Sequence, residues 1–120
     1  MNENRVSIKV ISLSQEVEIC LRKNLVKKLD VTKIELNEYL MSKLIKQIEE
    51  AQEFCFSNGL KKIPIICRPD IRLYFRRLIE NKFPSIMVIS YLEIPPEFKI
   101  DILFIIKFDI DFNNLNTHLN

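Results

Sequence analysis

With 120 residues, 48% of them hydrophobic, the chain has length for one domain and apolar side chain for a core. A formal net charge of +2 implies no nucleic-acid partner by itself. Cys20, Cys55 and Cys67 are odd in number, sit among apolar residues and lack C-x-x-C spacing, so they read as buried free thiols of a reducing cytosol rather than a disulfide framework. Met1 to Arg5 is polar and precedes no long apolar segment, so no signal peptide is visible in this stretch. The longest apolar run, Ile102 to Ile106, is far too short to span a membrane.

Val6 to Leu13 is β-rich and partly alternating, so the first predicted element is a strand. Ser14 can cap a helix that begins with Glu16 and Glu18 and ends with Lys23, Lys27 and Lys28. Its apolar positions are Val17, Cys20, Leu21 and Leu25. Leu29 to Leu36 reads as a connector with a short extended piece at Thr32 to Leu36. Asn37 caps a second helix, whose stripe is Leu40, Met41, Leu44, Ile48, Ala51 and Cys55. Asn58-Gly59 stops it, with the single glycine of the chain taking a left-handed conformation.

A strand follows at Ile63 to Cys67, with Pro64 where no ladder bond is needed. Pro69 and Asp70 open a third helix; Ile71, Tyr74, Phe75, Leu78 and Ile79 form its core stripe. Arg68, Arg72 and Arg76 step by four on the other side. Phe83-Pro84 ends that helix, and Ile86 to Tyr91 reads as a continuous apolar strand buried on both faces. Ile94-Pro95-Pro96 is a stiff turn, Phe98 to Phe112 holds one or two strands, and Asn113 to Asn120 is a polar, disordered tail. The expected fold is therefore α/β: a small mixed sheet of three to five strands with about three helices, containing a right-handed strand–helix–strand crossover over Ile63 to Tyr91. Residues 1–112 make one unit and 113–120 the tail.

Chemistry is scarce. The lone His118 lies in the tail, no His/Cys/Asp cluster has metal spacing, and no glycine-rich phosphate loop exists, so neither catalytic residue, metal nor cofactor is expected. Cys67 ends a strand just before a helix N-terminus, where a thiolate is favoured, yet has no base in its motif; a buried structural cysteine is the plainer reading. Arg68, Arg72, Arg76 and Arg77 form a basic face that suits a solvated surface, a protein interface or nucleic acid. Glu93-Ile94-Pro95-Pro96-Glu97 is a rigid turn flanked by carboxylates and reads as an exposed loop.

Three motifs in order carry a resemblance: Cys67-Arg68-Pro69-Asp70-Ile71-Arg72, Arg76-Arg77-Leu78-Ile79-Glu80 and Val88-Ile89-Ser90-Tyr91-Leu92-Glu93-Ile94, preceded by Val10 to Glu18 and a helix over Asn37 to Phe56. Together they resemble the last cytoplasmic subdomain of the FHIPEP family, the export-gate proteins of type III secretion and flagellar assembly, over about Val10 to Ile100. Arg68 departs from the family in standing where a capping Ser is common, and the stretch after Ile100 matches nothing in it. The resemblance implies a non-enzymatic module at the cytoplasmic side of the bacterial inner membrane. There it joins a homo-oligomeric ring, usually nonameric, that receives secretion chaperones, exported substrates and stalk or ATPase-complex proteins. Membrane attachment would come only through N-terminal spans not in this sequence. The chain is accordingly expected to be an excised or truncated piece; the Arg-Arg-Leu-Ile-Glu wording leans toward the virulence injectisome, with the flagellum left open. Arg68, Arg72, Arg76, Arg77, Tyr91, Glu93 and Glu97 are the expected partner-binding residues. The alternatives are a small nucleic-acid-binding α/β domain using Arg72, Arg76 and Arg77, and a thiol enzyme at Cys67.

Overall fold

The computed structural model describes residues 6–108. The first element is strand β1, Ser7–Leu13, and Ser14 caps helix α1, Gln15–Lys23, by accepting the Val17 N–H at 3.2 Å. The helix ends before Leu25. Asn24 caps it, its side-chain amide donating to the Cys20 carbonyl at 2.7 Å. Leu25 instead opens strand β2, Leu25–Lys28, which pairs antiparallel with β3, Val31–Ile34. The connector expected here is thus a β-hairpin. Its turn residues Leu29 and Asp30 both hold positive φ, 47° and 67°, as a two-residue hairpin turn demands, but lack the Asn-Gly chemistry that signals one. Leu29 is 98% exposed at the tip.

Helix α2, Glu38–Ser57, starts where expected, with the Asn37 side chain accepting the Leu40 N–H at 2.8 Å. It ends on Gly59 at φ 73°, the left-handed conformation that glycine adopts without a Cβ clash. Strand β4, Ile65–Cys67, leads into α3, Pro69–Ile79, and then β5, Val88–Ser90, pairs with β4 in parallel. A single 3₁₀ turn, Tyr91–Glu93, follows. Strand β6, Lys99–Ile106, is the one strand described between Phe98 and Phe108; Asp109 to Phe112, the polar tail and His118 lie outside the described residues.

The main sheet has the order β5-β4-β1-β6 and is parallel throughout; β2 and β3 form a separate two-stranded sheet. A β-bulge on β6 places Ile102 opposite Val10 and Phe104 opposite Ile11, leaving Leu103 as the extra residue. Ile11, Leu13, Ile65, Cys67, Val88 and Ile106 join the apolar stripes of all three α-helices in one buried cluster. Those stripes are the ones read from the sequence: Val17 and Leu21; Leu44, Ile48, Ala51 and Cys55; Ile71, Phe75 and Ile79. The alternation of a strand sends Val10, Ser12 and Ile66 to the opposite face, where they are also buried. Residues 91–98 must cross the sheet from β5 at one edge to β6 at the other, and their Ile94 and Phe98 are half-buried. The expected buried strand Ile86 to Tyr91 is corrected. β5 is a three-residue edge strand, Met87 is exposed, and Tyr91 has already turned into the 3₁₀ turn.

Candidate functional site

Three neighbouring strands, β5, β4 and β1, end at the same side of the sheet because they are parallel. Their carboxyl ends deliver the first turn of α1, the first turn of α3 and the Tyr91–Glu93 turn to one place. In open parallel sheets this is the end where loops converge on ligands. Helix α3 lacks the side-chain cap that a Ser would supply: Arg68 makes no capping bond. A carboxylate from another helix compensates. Glu18 of α1, a buried residue, reaches across so that its Oε2 accepts the Arg68 backbone N–H at 2.9 Å. That negative charge beside the positive end of α3 does the electrostatic work of the missing cap.

Two shallow clefts flank the Arg68-Pro69 corner and share Glu18 as a wall. One, of about 490 Å³, lies between that corner and Tyr91 and Leu92. The other, of about 380 Å³, is bordered by Gln15, Ile19, Arg22 and Asp70. Arg22 grips Asp70 with two bonds, Nε–Oδ2 at 2.6 Å and Nη2–Oδ1 at 3.2 Å, tying α1 to α3. This contact holds the Asp70 carboxyl below the usual carboxylate range. Tyr91 is pushed up, chiefly by burial and then by the Glu18 charge, and stays a neutral phenol at pH 7. Leu92 is 80% exposed beside it.

The structure divides the seven residues expected to bind a partner. Arg68 and Tyr91 share a cleft. Arg72 and Glu93 meet each other: Nε–Oε1 is 3.3 Å, and the Arg72 Nη1 also donates to the Val88 carbonyl at 3.5 Å. Glu93 Oε1 accepts the Ser90 N–H at 3.0 Å, closing a capping box around the 3₁₀ turn. These two side chains stitch α3 to β5. Arg76 lies 3.8 Å from Glu80, with its Nε shielded from solvent and making no hydrogen bond. Arg77 is exposed in the last turn of α3, outside the residues lining the clefts, and Glu97 makes contacts of its own in the turn after Pro95-Pro96. Glu18, Arg22, Pro69 and Leu92 complete the site. Glu18 had been read only as a residue favouring a helix start; nothing local in the sequence announces its reach to residue 68.

Cys67 sits beneath this corner and is fully buried. Desolvation, then the nearby Glu18 charge, pushes its thiol up to about 12, so it holds no thiolate at neutral pH. Helix-end stabilisation is outweighed because the sulfur is in the core. Among the described residues no His, Cys, Asp and Glu group is arranged to hold a metal ion.

Fold and site together define a small parallel α/β module with paired charges and an exposed apolar corner. The chain matches the FHIPEP family over residues 1–99 and belongs to it. It is 33% identical to the protein MxiA of Shigella flexneri over 100 residues, covering 80% of this chain and 14% of that protein. The solved structure of MxiA superposes with a TM-score of 0.68 at 34% identity, covering 83% of this chain and 31% of that one. CdsV of Chlamydia pneumoniae superposes with a TM-score of 0.71 at 27% identity, covering 88% and 30%, and CdsV has also been solved in complex with CdsO. The fold is shared with nonameric SctV-C of EPEC at a TM-score of 0.68 and 19% identity, covering 83% of this chain and 29% of that one. The chain thus spans about a seventh of its curated relative and under a third of the solved ones. No helix among the described residues is long and apolar enough to cross a membrane.

Proposed function

We propose that this chain is a non-enzymatic interaction module of a type III export gate. It works at the cytoplasmic face of the inner membrane, within a homo-oligomeric ring, and docks exported substrates, their chaperones or ATPase-complex proteins. The observation that carries the reading is the Arg68–Tyr91–Leu92 corner. An arginine, a neutral tyrosine and a well-exposed leucine border one cleft, on a frame held rigid by the Arg22–Asp70 and Arg72–Glu93 pairs. Arg and Tyr are enriched at protein interfaces, and anchors gain most when their surroundings are pre-organised. The CdsV–CdsO complex supports docking of a partner protein on a member of this family, and the nonameric SctV-C supports self-association. Arg72 and Arg76 pair with Glu93 and Glu80, which weighs against an open arginine ladder on phosphate.

The test places Arg68→Glu with Leu92→Ser in the full-length secretion protein of the native cell. Secreted substrate should fall severalfold while the circular dichroism and melting of the isolated variant stay unchanged. Normal secretion from the doubly substituted protein would refute the docking role of this corner.

A further inference from the structure

The opposite end of the molecule carries a second opening. Between α2 and the sheet, at the amino ends of β4 and β5, lies a cavity of about 500 Å³. Its floor is apolar and buried: Ile11 and Ile65, register partners on adjacent strands, with Ile48 and Cys55 of α2. The volume falls within the range of about 300–1,000 Å³ typical of ligand sites. An apolar side chain entering a pocket with an aliphatic floor is favoured by the area removed from water.

The mouth supplies the second half of the argument. Phe56, in the last turn of α2, stands there 75% exposed, a large apolar side chain left in solvent by the fold itself. Across from it Lys61 and Lys62 border the opening, and Lys62 is held in the left-handed region at φ 57°. Neither lysine takes part in any of the ion pairs found among the described residues, whereas Glu53 is the one carboxylate on the rim. Apolar floor, aromatic lip and two cations with no ion pair among the described residues describe the complement of one kind of occupant.

We propose that this cavity is a docking site for an acidic segment of a partner protein that inserts one large aliphatic or aromatic side chain. The anchor fills the space above Ile11 and Ile65 and packs on Phe56; the carboxylates flanking it meet Lys61 and Lys62. This site is separate from the Arg68–Tyr91–Leu92 corner and does not depend on it.

The experiment titrates the full 120-residue chain, isotopically labelled, with an acetylated Glu-Asp-Leu-Phe-Asp-Glu amide peptide and follows amide shifts by NMR. Saturable shifts confined to Ile48, Cys55, Phe56, Ile63 and Ile86 are expected. Two control peptides, one with lysines for the acids and one with serines for Leu-Phe, should not saturate. Lys61→Glu with Lys62→Glu should weaken binding by about tenfold or more, since rim charges steer and select rather than hold the fold. Ser85→Trp, placed at the mouth, should block binding while the melting temperature holds. Arg68→Glu should bind the peptide as the parent does, which separates this site from the docking corner. Shifts spread over the surface, equal binding of the lysine peptide, or a concentration-dependent dimer whose contact covers the cavity would each overturn the proposal.

Discussion

Glu93 holds two internal contacts, so removing it and removing Arg72 should have unequal costs. Arg72→Ala deletes an ion pair whose side chains are 38% and 48% exposed, an interaction that solvent reduces to about 0.5 kcal/mol, with little more from lost stem packing. Glu93→Ala deletes the same pair and also orphans the Ser90 N–H, in a residue that is 4% exposed. An unsatisfied buried donor costs about 1–3 kcal/mol, which brings the total to about 2 kcal/mol. Glu93→Gln keeps an acceptor for Ser90 and should behave like Arg72→Ala. The chain has no Trp, so urea unfolding is best followed by circular dichroism. The Glu93→Ala midpoint should fall by about 1 M and the other two by well under half of that. The Arg72→Ala/Glu93→Ala double variant should be close to Glu93→Ala alone, with a coupling of about 0.5 kcal/mol. If Arg72→Ala proves as costly as Glu93→Ala, or Glu93→Gln as costly as Glu93→Ala, the capping account of this corner is wrong.

Replacing Leu29-Asp30 by Asn-Gly should stabilise the chain by about 1 kcal/mol, because both positions sit at positive φ where Leu pays a steric penalty; an unchanged urea midpoint would contradict this. Cys67 should resist iodoacetamide at pH 7.5 in the folded chain and react only in denaturant, with peptide mapping of the alkylated sites as the measure; stoichiometric labelling of native Cys67 would restore the thiol-enzyme reading. The Asp70 carboxyl titrates lower folded than unfolded, so its contribution is complete above about pH 4 and is lost as pH falls through the folded value. Both partners are half-exposed, so this amounts to under about 1 kcal/mol. Asp70→Asn should flatten the corresponding part of the melting-temperature profile between pH 5 and 2, and an unaltered profile would exclude the pair as its source.

The helices were legible because each carries two independent signals. Ser14, Asn37 and Pro69 mark starts, and the apolar spacing that follows marks a face; the cap bonds of Ser14 and Asn37, the first-turn place of Pro69 and the buried cluster bear both out. The hairpin was illegible for the opposite reason. Its strands are four residues long and its turn is Leu-Asp, so Leu25 extended the periodicity of α1 and no glycine announced a reversal. β5 was read too long because Ile86 to Ile89 is uniformly apolar, and a run of that kind carries no record of which residues an edge leaves in water. At the site, spacing put Arg72 and Arg76 one turn apart on α3, with Arg68 at its N-cap, but could not show their partners. Glu80 is four residues from Arg76 and could have been paired by inspection; Glu93, twenty-one residues from Arg72, and Glu18, fifty residues from its contact, could not.

The position of β1 has a consequence for how the chain is made. This strand lies inside the sheet, and one of its neighbours, β6, is about ninety residues later in the chain, so their pairing closes a long loop at an entropic cost. During synthesis the β1–β4–β5 half can assemble as soon as Ser90 leaves the ribosome, while the other edge of β1 stays unpaired until Lys99 to Ile106 emerges. An unpaired isoleucine- and valine-bearing edge is a template for other chains. The completion of β6 therefore times the passage from a nascent chain with an open strand edge to one whose β1 is paired on both sides.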